Sequence, residues 1–87
     1  MKVDKELKDA INSAVKSRID WRNNGLCYTY ETTRSEKELL WANDVTVGNA
    51  KGSYGDWQIK IGGKLVATGH QRFGRNGREL LPKLSWR

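Results

Sequence analysis

Trp57-Gln58-Ile59-Lys60-Ile61-Gly62-Gly63-Lys64-Leu65-Val66-Ala67-Thr68 is the stretch from which the fold can be read. Apolar and polar residues alternate from Trp57 to Ile61, the period of a strand with one buried face. Gly62-Gly63 can take positive φ at both positions, as a two-residue hairpin turn requires. That turn predicts Ile61 opposite Lys64, Ile59 opposite Val66 and Trp57 opposite Thr68. Trp57, Ile59, Ile61, Val66 and Thr68 then share one face, and Gln58, Lys60, Leu65 and Ala67 share the other.

A hairpin buries too little alone, so the flanking chain must cover it. Upstream, Val3, Leu7, Ile11, Val15 and Ile19 recur every four residues, which predicts an amphipathic helix over 3–22. Asp4 suits its N-cap, and Asn23-Asn24-Gly25 suits its end. Residues 26–33, rich in aromatic and β-branched types, read as a strand whose Tyr28 and Tyr30 either pack beneath that helix, the preferred reading, or present a stacking platform for bases. Ser35-Glu36-Lys37-Glu38 matches a capping box and predicts a short helix from about Glu36 to Ala42. Asn43-Asp44 ends it, Val45-Thr46-Val47 adds a brief strand, and 48–55 reads as a Gly-rich loop.

Downstream, His70 to Phe73 can prolong the second strand, and Asn76-Gly77 signals another tight turn. A hairpin there places Phe73 opposite Leu80. Pro82 cannot donate to a ladder, so the last strand, 78–86, lies at an edge or breaks at Pro82. A short helix over Glu79–Leu81 is the alternative. The expected class is α+β: one domain over 1–87, with an N-terminal amphipathic helix on a small, mostly antiparallel sheet and one short second helix.

Sixteen Lys plus Arg face ten Asp plus Glu, a formal +6 with a pI near 9.7. The excess is not spread evenly. Residues 1–22 carry six basic and four acidic side chains, and 23–69 carry five of each. Residues 70–87 hold Arg72, Arg75, Arg78, Lys83 and Arg87 against Glu79 alone, which places +4 of the +6 in a basic C-terminal segment. Guanidinium groups offer paired donors to phosphate at any accessible pH. A glycine-rich turn admits a sugar–phosphate strand closely, and an exposed aromatic stacks on a base. The segment therefore reads as a nucleic-acid surface: Arg72, Arg75, Arg78, Lys83 and Arg87 for phosphates, with Phe73, Trp86 or Tyr54 stacking and Lys51 adding charge. The competing reading pairs those arginines with Glu31, Glu36 or Glu38 on the body. RNA or single-stranded DNA is preferred to duplex, because no helix carries a major-groove recognition pattern.

Other chemistries find little support. The single Cys27 excludes an intrachain disulfide and a Cys-based zinc site, and one histidine excludes a multi-histidine metal site. No metal or cofactor is expected. Gly52-Ser53-Tyr54-Gly55 precedes a strand, so it lacks the two-helix setting of a KH clamp. The absence of a signal-peptide core and of any long apolar run points to a cytoplasmic protein with no membrane span.

Gly69-His70-Gln71-Arg72-Phe73 resembles the catalytic strand of small ribonuclease toxins built on a double-stranded-RNA-binding-like fold, over those five residues only. The resemblance implies a metal-independent ribonuclease with His70 as base and Arg72 or Arg75 stabilising phosphorane charge. A third class is a protein-binding inhibitor or adaptor, of the kind phages and other mobile elements encode as compact accessories. It would dock its basic tail on an acidic or nucleic-acid-bound host protein, with Trp41 or Trp86 as anchor. A sheet edge offers a route to homo-oligomers.

Overall fold

The computed structural model describes residues 3–24, 33–49 and 56–87. The strand expected over 26–33 lies outside the described residues up to position 32, as do Gly25, Cys27 and residues 50–55 of the expected 48–55 loop, with Lys51 and Tyr54; residues 48 and 49 of that loop are strand instead. The remainder is α+β, with helices α1 (Lys5–Asn24) and α2 (Arg34–Ala42). The strands are β1 (Val45–Asn49), β2 (Asp56–Ile61), β3 (Lys64–His70), β4 (Arg72–Phe73), β5 (Glu79–Leu80) and β6 (Ser85–Trp86). An antiparallel sheet runs in the order β1-β2-β3-β6, and β4 with β5 forms a separate two-stranded ladder. Among the described residues no helix is long and apolar enough to cross a membrane.

The four-residue periodicity of α1 does what it predicts. Val3, Leu7, Ala10, Ile11, Val15 and Ile19 are buried against Val47, Trp57, Ile59, Ile61, Val66 and Ala67 of the sheet. Leu40 of α2 closes the same core. Asp4 Oδ1 accepts the Leu7 N–H at 2.9 Å, the N-cap bond that satisfies one otherwise unpaired donor. The helix is offset by two residues from the predicted 3–22.

The second helix starts earlier than expected. Thr33, not Ser35, is the N-cap: its Oγ1 accepts the Glu36 N–H at 3.1 Å, and Glu36 Oε1 accepts the Thr33 N–H at 3.0 Å. Two overlapping sequences fit the capping-box pattern, and the upstream one adds two helical residues. Glu38, the would-be partner of Ser35, pairs instead with Arg34 at 3.3 Å on the surface.

The central hairpin forms with both turn glycines at positive φ, 58° at Gly62 and 82° at Gly63. Its register departs from the simple count. Ile61 faces Lys64 and Lys60 faces Leu65, but a bulge follows and Ile59 faces Ala67 in place of Val66. The bulge sets two residues of β3 against one step of β2, so Val66 and Ala67 are both buried. Beyond it Trp57 faces Gly69, Gln58 faces Thr68 and Asp56 faces His70. Ala67 therefore joins the core face and Thr68 the opposite one, the reverse of the predicted assignment.

The C-terminal stretch also differs. β3 ends at His70, and Phe73 faces Glu79, not Leu80. The turn is centred on Arg75-Asn76, with the Gly77 N–H bonded to Gly74 O at 3.1 Å and the Gly74 N–H to Arg78 O at 2.8 Å. Gly77, at φ 78°, takes the left-handed bulge position that follows such a turn. Residues 79 and 80 are strand, so the helical alternative is excluded; the ladder ends at Leu80, ahead of Pro82, and the chain then returns so that β6 pairs with β3.

Candidate nucleic-acid interface

The β4–β5 hairpin comprises two strands of two residues each, too little ladder to hold its own orientation. A side chain supplies the rest. Asn23, near the C-terminal end of α1, donates Nδ2–H to Glu79 O and accepts the Glu79 N–H at Oδ1, both at 2.9 Å. The amide thus pairs with a backbone peptide much as a neighbouring strand would, and fixes β5 against α1.

That docking sorts the charges. Glu79, the lone carboxylate of 70–87, is only 6% exposed, whereas Arg72, Arg75, Arg78, Lys83 and Arg87 are all exposed. Arg72 Nη1 donates to Leu81 O at 3.3 Å, which lays its guanidinium along the 81–84 return segment. Phe73 is 59% exposed beside it, and Leu80 and Leu81 are also exposed. On the body, Glu36 closes the capping box and Glu38 pairs with Arg34.

Trp86 is half-buried against the core, with Lys8 Nζ 5.1 Å from its ring centroid. This cation–π contact occupies the ring, so Phe73 is the more accessible stacking surface of the two. Trp41, on α2 and outside the basic segment, is 76% exposed. Arg87 is tied by its backbone, the N–H bonding Val66 O at 2.9 Å.

His70 lies where β3 gives way to the hairpin. Its Nδ1 is 2.8 Å from Asp56 Oδ1 on the facing strand, and its side chain is 90% exposed. His70, Arg72 and Lys83 line a cleft of about 350 Å³. A second, of about 390 Å³, continues onto the sheet between Asp56, Gln58, Thr68, His70, Lys83 and Ser85. The structure thus brings His70, Arg72 and Lys83 together and adds Asp56, which sequence reasoning missed. An uninterrupted ladder would have set Asp56 opposite Gly69; only the bulge delivers it to His70. Asn23 was equally hidden, its partner being 56 residues away.

No protein-family model matches this chain, and neither a curated protein nor a solved structure with significant similarity to it was found.

Proposed function

We propose that the protein binds single-stranded nucleic acid, RNA or DNA, through the outer surface of the β4–β5 hairpin and the return segment. The observation that carries this reading is the inward burial of Glu79, which leaves five exposed cationic side chains and no exposed carboxylate side chain on residues 70–87. Such a rim attracts phosphate over a Debye length of ~8–10 Å, and Phe73 offers a ring to a neighbouring base. Arg75 sits at the tip of the turn and Arg78 just after it, and both are exposed, so they serve as the test. Arg75→Glu with Arg78→Glu is expected to weaken binding of a fluorescent single-stranded oligonucleotide at least about tenfold, with an unchanged circular dichroism spectrum. Equal affinity of wild type and double variant removes the reading.

The Asp56–His70 pair favours a second reading, a metal-independent ribonuclease. In the neutral tautomer whose Nδ1–H donates to Asp56, Nε2 presents a lone pair to the cleft. It would take the proton of a ribose 2′-hydroxyl as the 2′-oxygen attacks the adjacent phosphorus. The P–O5′ bond breaks, the leaving 5′-oxygen gains a proton from solvent, and a 2′,3′-cyclic phosphate forms. Arg72 and Lys83, on the same cleft, would stabilise the developing charge. His70→Ala is expected to abolish cleavage while retaining affinity for a 2′-O-methyl oligonucleotide. Wild-type protein that turns over no RNA ends this second reading and leaves the first intact.

A further inference from the structure

We infer that the bound strand continues past the hairpin onto the face of the four-stranded sheet opposite α1, where a row of polar side chains discriminates between bases. The inference rests on the binding reading above and extends its footprint. Register alone builds the row. Gly48 faces Gln58, Gln58 faces Thr68, and Thr68 faces Ser85, so one rank crosses all four strands. Trp57, Ile59 and Ala67, on the alternate positions, are buried under α1. Gln58, Thr68 and Ser85 therefore point away from it. The next rank is the Asp56–His70 pair, and Thr46 faces Lys60 on the other side.

Three features point to nucleic acid as the occupant. First, the face is continuous with the hairpin surface, because His70 and Lys83 line both clefts. A strand held by Arg72 enters the second cleft without leaving a cation. Second, the charge is complementary. On this face of β1, β2, β3 and β6 the lone carboxylate is Asp56, engaged with His70, against Lys60, with Lys83 lining the cleft; Lys64 faces Ile61 and lies on the α1 side. Third, the groups differ in kind from those on the hairpin. Arginine and lysine grip phosphate whatever the sequence, whereas one amide and two hydroxyls offer directional donors and acceptors suited to base edges. The cleft of about 390 Å³ falls within the ~300–1,000 Å³ range of small-ligand sites, room for a base with its sugar. The hairpin then supplies affinity and the sheet face supplies preference.

The test is photo-crosslinking of the full chain to 4-thiouridine-substituted dodecamers, with binding to the four homopolymers measured in parallel. Adducts on peptides carrying both the 70–80 hairpin and strands β2 or β3 are expected. Thr68→Val combined with Ser85→Ala conserves shape on exposed or half-exposed positions. It should shrink the spread of affinities among homopolymers roughly 3- to 10-fold, the share of one or two hydrogen bonds, with the salt dependence unchanged. Adducts confined to the hairpin, or a wild type that ranks all homopolymers equally, overturn the inference while the binding reading survives. A spread that the double variant preserves overturns it too. No adduct and no binding by wild type removes both.

Discussion

Asn23 carries a load that its residue type does not advertise. Its side-chain amide satisfies the N–H and C=O of Glu79, two part-buried backbone groups, and so orients the whole hairpin. Asn23→Ala leaves both without their partner, a cost of about 1–3 kcal/mol, or several degrees in Tm for a domain of this size. Hydrogen exchange should locate the effect: the Glu79 amide is expected to lose protection while β2 and β3 keep theirs. Uniform loss across the sheet would assign Asn23 a global structural role instead. Glu36 is the corresponding device in the body. The Thr33 N–H, then the Ser13 hydroxyl, hold its carboxyl below the ordinary 4.5 against an opposing push from burial. A carboxyl depressed in the folded state stabilises above its unfolded pKa, and that contribution fades as pH falls through the folded value. Glu36→Gln should therefore lower Tm at pH 7, with the gap to wild type closing on acidification below 4.5. A gap that does not depend on pH would deny the charge any part in the cap.

At the scale of elements, β3 and the return segment depend on one close approach. A Cβ on Gly69 would meet Leu84 Cδ2 at 3.0 Å, Lys83 O at 3.3 Å and Pro82 Cβ at 3.4 Å. Gly69→Ala is expected to push the 82–84 segment outward, costing about 1–3 kcal/mol as overpacking does, and to displace Lys83 from His70. Chemical-shift changes should reach Lys83 and Ser85 but spare the Gly62-Gly63 turn. Shifts limited to Gly69 itself would show that the segment yields at no cost. The bulge beside it marks where reading from sequence runs out. In β2 the alternation is strict, so its buried face was legible from Trp57, Ile59 and Ile61. In β3, Leu65-Val66-Ala67 is apolar throughout and has no period of two, so packing under α1 decides which residue is extra. Asn76-Gly77 shows the same limit. A turn was legible there, but Gly77 can serve as second central residue or as the bulge after it, and the choice shifts Phe73 from Leu80 to Glu79.

For the whole molecule, the decisive arrangement is a segregation of charge that the linear sequence half reveals. That +4 gathers in 70–87 follows from counting; that Glu79 turns inward, and that β6 returns beside β3 to set Lys83 near His70, does not. Strands of two residues leave no periodic signal, and Pro82 lies between the last two of them. Segregation has a consequence that does not depend on any single contact. If the five exposed cations each neutralise one phosphate of a single strand, log K should fall with log salt at a slope near −3.5, at roughly −0.7 per phosphate. Arg75→Glu with Arg78→Glu removes two of the five and should bring that slope to about −2 or shallower, since the added carboxylates repel the strand. Arg18→Glu, on the exposed side of α1, makes the control, because it alters net charge by the same step per substitution without touching the rim. Binding that follows total charge, with Arg18→Glu changing the slope as much per residue as the hairpin variants, would mean a diffuse basic protein. A slope that responds to the hairpin alone requires the strand to lie along that rim.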